Sequence, residues 1–341
     1  MAFNCTITVN AGKIPNAQGN FVWLATTANF PIGAKDGGSS SILNGGGNLR
    51  CYTDDTKATR LPLDVVSFIT GGSPEIQVWG LSPTLDVGST VYIEADEIET
   101  SQPAFGAAFG RNAVWVDYEL VLHGSFDDST GNHGTLTAVG SPTIISAGPL
   151  GAAIRFASGS QYLHTNNTSI AATDDFTMST WVAENGGGDA ALFGMADSSS
   201  PYGNYSIVWD EDVSVDRVDM STFARSGNGS NALFVTQSGP SQGDYVLTTA
   251  TVDNAVGTTG YISSPFGTVS GTTSDRINLG SANLDRISIN RLMDSSPNLG
   301  GAHDVSEARL RHGLVTSDFV TSEYNNQSDP STFWSTSVWT D

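Results

Sequence analysis

Three stretches of the chain hold the residue types that chemistry needs. Glu94-Ala95-Asp96-Glu97-Ile98-Glu99 places carboxylates two and three residues apart. Alternate side chains of a strand share a face, so Glu94 and Asp96 could stand side by side. Two carboxyls about 5 Å apart are what a retaining glycoside hydrolase uses, one as nucleophile and one as acid. The segment Thr90 to Glu99 also reads as a strand running into a solvated acidic edge, and that reading suits its place in the smaller half of the chain. Gly239-Pro240-Ser241-Gln242-Gly243 satisfies Gly-x-Ser-x-Gly, which exposes a serine nucleophile when a strand precedes it and a helix follows. Asp244-Tyr245-Val246-Leu247-Thr248 follows instead, a strand-like run, so a hairpin turn is expected. The third stretch, Asp127-Asp128-Ser129-Thr130-Gly131-Asn132-His133-Gly134, is a polar turn cluster between two strand-like runs. The five histidines show no His-Glu-x-x-His or similar metal spacing. No glycine-rich phosphate loop occurs. The expectation is a protein that is not an enzyme, with glycoside hydrolysis as the third reading.

Charge narrows the partners. The 341 residues hold 14 basic and 35 acidic side chains, a net charge of -21. Such a surface repels phosphate backbones and excludes nucleic acid as a partner. Lysine occurs only at 13, 35 and 57. That balance suits salty surroundings, where screening weakens self-repulsion, and equally suits plain solubility. No apolar run reaches the roughly 20 residues of a membrane span. Met1 to Asn10 has neither the basic nor the apolar region of a secretory signal. The two cysteines, Cys5 and Cys51, make no disulfide framework. Both fall in strand-like runs and could be neighbours, and free buried thiols are expected.

The elements that must position these residues are short strands. Cys5, Ile7 and Val9 alternate with Thr6 and Thr8, the mark of a half-buried strand. Phe21 to Leu24, Leu49 to Tyr52, Leu61 to Phe68, Ile76 to Trp79 and Thr90 to Ala95 continue the series, each bounded by turn residues. This number of strands in about 100 residues implies a β-sandwich. Ser101 to Asn112 reads as a linker. More than ten strands follow it, from Ala153-Ile154-Arg155-Phe156 to Ser306 to Arg311, and imply two large packed sheets. One helix is expected near the end, capped by Thr316 or Ser317, with Asp318 in its first turn and Asn325-Asn326 as its stop. The predicted fold class is therefore all-β: an N-terminal β-sandwich over 1–112, then a jelly roll with one short C-terminal helix and a tail over 113–341.

Four stretches of the second half resemble the LamG-like, concanavalin A-like jelly-roll family. Asp127 to Thr135 is similar to that family's opening loop. Ala153 to Phe156 with Gln161-Tyr162-Leu163 is similar to its next hairpin, and Phe176 to Val182 to its buried tryptophan strand. Ser306-Glu307-Ala308-Arg309-Leu310, with the helix to Gln327, resembles its closing strand and helix. Asn29-Phe30-Pro31, Asn48-Leu49-Arg50 and Val91 to Ala95 resemble an uncharacterised β-sandwich that often precedes such a jelly roll. The family often holds a structural calcium ion beside its opening loop, which implies Asp128, Asn132 and Glu307 as metal ligands. Hard cations take several oxygens of this kind. Against that, Asp128 and Asn132 can hold the turn through side-chain to backbone bonds, and Ser306 stands where the family often has an acidic residue.

The resemblance implies a function class. This domain pairing appears in phage particles and in bacterial surface proteins, and the missing signal favours the phage reading. The expectation is a virion surface protein, on capsid or tail, assembled in the host cytoplasm. Its partners would be other virion proteins, in many copies on a symmetric particle, and a host-surface glycan. The smaller first domain would dock. A bacterial cell-surface glycan-binding module is the alternative. Tyr202, Tyr205, Trp209, Trp334 and Trp339 are the candidate glycan or partner contacts, because aromatic faces suit such roles.

Overall fold

In the computed structural model of the chain, residues 3–166, 168–171, 173–186, 190–199, 204–212, 217–226, 229–241, 243–273, 283–292 and 300–340 are described, with the backbone alone at 190, 204–212, 217–226 and 229–234. The fold is all-β and antiparallel, as the alternation requires, and divides into two units.

Unit 1 comprises Met1–Val116, Ser129–Gly131 and Thr316–Asp341. Its five-stranded sheet runs in the order Trp334–Thr336, Asn4–Val9, Thr90–Ala95, Leu49–Tyr52, Arg60–Leu61. A three-stranded sheet of Gln18–Thr26, Glu75–Leu85 and Leu63–Ile69 completes it. Cys5, Ile7 and Val9 point inward, as their spacing predicts. The core is rich in indoles: Trp23, Trp79 and Trp115 are fully buried. Each such side chain contributes roughly 1.5–3 kcal/mol or more of transfer free energy. Trp23 donates from Nε1 to Ser82 Oγ at 3.0 Å and Trp115 to Asp64 Oδ2 at 2.8 Å, so neither indole N–H is buried without a partner. Gly80 is required beneath Trp23, because a Cβ there would run into the indole ring.

The domain boundary and the helix both differ from expectation. Unit 2 begins at Asp117 rather than 113, and the last helix and tail belong to unit 1, not to the jelly roll. The helix is Ser317–Ser328, capped by Thr316, whose side chain accepts from Phe319 N. It runs past Asn325-Asn326 and stops before Pro330. Asn326 does not end it because its amide is engaged elsewhere: Oδ1 accepts from Leu24 N at 2.6 Å and Nδ2 donates to Leu24 O at 3.0 Å.

Unit 2 comprises Asp117–Asp128 and Asn132–Val315. One sheet runs Thr143–Gly148, Gly151–Phe156, His303–His312, Phe176–Glu184, Val246–Asp253, Gly257–Ser264, Gly267–Thr273, with Tyr118–Leu122 also paired to His303–His312. The other runs Gly229–Ser238, Arg217–Ser226, Asn204–Asp212, Ala190–Ala196, Arg286–Ile289, Tyr162–Asn166, Thr137–Val139. Between them lies one apolar core that includes Leu120, Ile154, Phe156, Phe176, Phe193, Met195 and Ile287. Every residue of Phe176–Glu184 is buried, which fits a central strand.

Candidate functional site

The opening loop is built around one carboxylate. Asp128 is 2% exposed. Its Oδ1 accepts from Val121 N, and its Oδ2 accepts from both Asn132 N and His133 N, all at 3.0 Å. Asn132 then donates from Nδ2 to the carbonyls of Tyr118 and Glu119, at 3.3 and 3.1 Å. Asp128 and Asn132 thus fasten the turn to the strand beside it, the work Asx residues do in tight loops.

Glu307 serves a different cluster. Its Oε2 lies 2.9 Å from His123 Nδ1 and its Oε1 accepts from Arg309 Nε at 2.7 Å. All three side chains are buried. A calcium site requires several oxygens free to converge on one ion. Here the Asp128 oxygens accept from backbone N–H groups, Asn132 turns its donor end to carbonyls, and Glu307 is held by His123 and the Arg309 guanidinium. Asp128 and Asn132 thus hold the loop, and Glu307 is engaged in a separate cluster. Among the described residues no group of three or more His, Cys, Asp or Glu has a metal-holding arrangement.

The sequence reading missed the cluster that the loop creates. Glu119, 3% exposed, sits on the strand Tyr118–Leu122 with its side chain away from Leu120 and Leu122 of the core. Its Oε1 lies 3.0 Å from His133 Nε2 and accepts from Ser169 N at 2.9 Å. Its Oε2 takes the Ser169 hydroxyl and lies 3.4 Å from His312 Nε2. Burial alone would push this carboxyl up, but the bonds from His133, His312 and Ser169 outweigh it and hold the group well below the usual carboxylate range. The bond to Glu119 raises His312 above its ordinary value, against the opposing effect of burial. The alternation Tyr118-Glu119-Leu120 was the available signal: a charged residue between apolar ones in a strand-like run.

The glycosidase-like carboxylates are likewise occupied. The strand ends at Ala95, before Asp96. Glu94 is 5% exposed and paired with Lys57 Nζ at 2.7 Å. Asp96 Oδ1 accepts from Ile98 N at 2.7 Å and Glu99 N at 3.0 Å. Burial raises Asp96, and these backbone bonds with the nearby arginines reverse it, leaving the group lowered rather than poised as an acid. Glu99 Oε2 holds Arg50 Nε at 3.0 Å and Arg60 Nη1 at 3.1 Å. The serine of Gly239–Gly243 is followed by the strand Val246–Asp253, not by a helix, and Ser241 N donates to Asp244 Oδ2 at 2.8 Å.

The aromatic candidates separate. Trp334 is 2% exposed, edge-on to Trp23 at 6.0 Å, and donates from Nε1 to Leu24 O at 2.9 Å. It is a core residue of unit 1 and offers no face to a sugar. Trp339 is half-buried, stacked on Phe3 at 6.5 Å and bonded from Nε1 to Ser40 O at 2.9 Å. Tyr202 lies outside the described residues. Tyr205 and Trp209 fall on the strand Asn204–Asp212, opposite Met195 and Ala190 in register, and their side chains lie outside the described ones.

A second aromatic group does reach the outer face of unit 2. Tyr162 and His164 alternate with the buried Leu163 on Tyr162–Asn166, and their rings lie 5.9 Å apart at 37°. The Arg291 guanidinium stands 5.2 Å from the Tyr162 ring centroid. Arg286 lies on the neighbouring strand, opposite Asn166.

No family model matches the sequence. No curated protein matches it. Among solved structures, the binding domain of botulinum neurotoxin serotype C1 is similar with a TM-score of 0.46 and 11% identity, over 62% of this chain and 52% of that one. The binding domain of Paraclostridial Mosquitocidal Protein 1 is similar with a TM-score of 0.45 and 14% identity, over 62% and 52%. The NanB sialidase of Streptococcus pneumoniae has a TM-score of 0.36 and 12% identity, over 43% of this chain and 23% of that one. The chain spans about half the length of the binding domains it matches, at 52%. These likenesses concern β-sheet architecture and carry nothing about ligand or activity.

Proposed function

We propose that the chain is a non-catalytic surface component of a phage particle, on capsid or tail, in which unit 1 seats on neighbouring virion proteins and unit 2 is presented to bind a host-surface glycan. One observation carries this reading: unit 2 is an insertion between the two main segments of unit 1. The strand leading in, Tyr118–Leu122, is paired with the strand leading out, His303–His312, and His312 N donates to Asp117 O at 2.9 Å. The chain therefore enters and leaves unit 2 side by side. Insertion of a folded domain through adjacent ends adds a module without disturbing its host, which suits a seat that carries a display domain.

Exposed apolar side chains support the assignment of the seat. Among the described residues most of the large ones belong to unit 1, with Ile98 at 89% and Ile32 at 77%, against Ile144, Val256, Phe266 and Leu314 in unit 2. Apolar groups left in water favour protein partners. Multiple copies on a symmetric particle would repeat that contact.

The test is fractionation. Mass spectrometry of density-purified particles from the source culture is expected to find the chain in them. Recovery only with the bacterial envelope would replace the virion with a cell-surface module. Hydrolysis of a glycan panel that disappears in Glu94→Gln and Asp96→Asn would replace both with an enzyme.

A further inference from the structure

We infer that the outer face formed by Tyr162, His164, Arg286 and Arg291 is a binding site for a carboxylate-bearing sugar. This rests on the glycan-binding reading of unit 2 and names the class of glycan.

The site is assembled from two adjacent strands in fixed register. His164 stands opposite Ser288, and Asn166 opposite Arg286. Leu163, Ile287 and Ile289 turn into the core, so Tyr162 and His164 face the other way. Arg286 is half-buried, and among the described residues no carboxylate pairs with it. That is unusual in a chain with 35 acidic and 14 basic residues. The adjacent Asp285 is spent on Ser198, accepting its N–H at 2.8 Å and its hydroxyl at 2.7 Å. A half-desolvated guanidinium without a counter-charge is a ready fork for an anion, and a planar carboxylate fits it bidentately.

The neighbours specify the rest of the ligand. His164 Nδ1 is buried and, among the described residues, has no hydrogen-bond partner. Burial, then the nearby Arg286 charge, lowers the His164 pKa and favours the neutral ring, which presents an uncharged imidazole beside the guanidinium. Tyr162 supplies an aromatic body with a polar tip, and Arg291 braces its ring while donating from Nη1 to Gly159 O at 3.3 Å. One charge-binding fork, one neutral imidazole and one aromatic ring form a sugar-sized set. The net charge of -21 disfavours densely charged polyanions such as nucleic acid, so a ligand with at most one carboxylate per sugar is favoured.

Isothermal titration of the full chain with 3′-sialyllactose and with oligogalacturonate, against lactose and cellohexaose as neutral controls, tests this. At least one acidic sugar is expected to bind and the matching neutral one not. Arg286→Gln should weaken that binding roughly tenfold or more, with Arg286→Lys between the two. His164→Ala should weaken it less, and melting curves should match the parent for each variant used. Binding of neutral sugars that Arg286→Gln leaves unchanged would overturn this site and leave the glycan reading standing. No binding by any of a broad panel would overturn both. Should Arg286→Gln fail to fold, loss of acidic-sugar binding in Arg286→Lys and His164→Ala carries the same weight, and undiminished binding in both overturns the site.

Discussion

Asn326 holds the backbone of Leu24 by two bonds, accepting from its N–H at 2.6 Å and donating to its carbonyl at 3.0 Å. The side-chain amide acts as a strand partner would, 302 residues further along the chain. Trp334 Nε1 adds a third bond, to the same carbonyl. The last helix and tail are thereby part of the core of unit 1.

Asn326→Asp keeps the shape and removes the donor, placing a carboxylate against a carbonyl in a fully buried position. The expected loss is about 2–4 kcal/mol. Trp334→Ala opens a cavity beside Trp23 and should cost about 3–5 kcal/mol. Urea denaturation followed by tryptophan fluorescence measures both. Unchanged midpoints would mean the tail is not seated as described.

Asp128 satisfies three backbone N–H groups. Asp128→Ala leaves those donors buried and should cost roughly 3 kcal/mol, which for a unit of this size lowers Tm by about 6–12 °C. A chelator should leave the wild-type Tm in place, because an ion that stabilises the fold would reveal itself by mass action. A drop of several degrees on chelation would restore the calcium site.

Acid should destabilise unit 2 in two stages. Burial lowers His303 from 6.5 to about 4. The unfolded chain then binds the proton more readily, so stability is full above pH 6.5 and is lost as pH falls towards 4, by on the order of 3 kcal/mol. Glu119 is also lowered, so its contribution is present above its ordinary value of 4.5 and is lost below it. His312 works in the opposite sense: its raised pKa contributes below 6.5 and fades as pH rises through the raised value. Tm against pH should therefore fall first between 6.5 and 4, and His303→Leu should flatten that segment. A wild-type Tm that is level down to pH 4 would contradict the burial of a neutral His303.

Cys5 and Cys51 both stand opposite Ile93, one on each side of the strand Thr90–Ala95. Two strand spacings separate them by roughly 10 Å, beyond the ~7 Å limit for a disulfide. Burial pushes the Cys5 thiol up to about 12 and raises Cys51 further. Native protein should therefore leave a thiol reagent unconsumed, and mild oxidant should form no bridge between them. Both thiols should react at once in urea.

Strand alternation was enough to read the architecture. Cys5, Ile7 and Val9 face where their period places them, because burying every second side chain is a local property of a strand. The Thr316 cap was legible for the same reason: the hydroxyl reaches an N–H three residues away. Long-range partners were not. Nothing local to Asn326 or Trp334 reveals Leu24, so the tail was assigned to the second domain, Trp334 was a candidate contact and the helix was given an early stop. Asp128, Asn132 and Glu307 were named as metal ligands from resemblance, and only the folded chain decided which groups bond them: backbone groups, His123 and Arg309. Arg286 beside His164, with no carboxylate paired to it among the described residues, is likewise a fact of register: residues 122 apart meet only once the two strands pair, and a sequence carries charge without carrying distance.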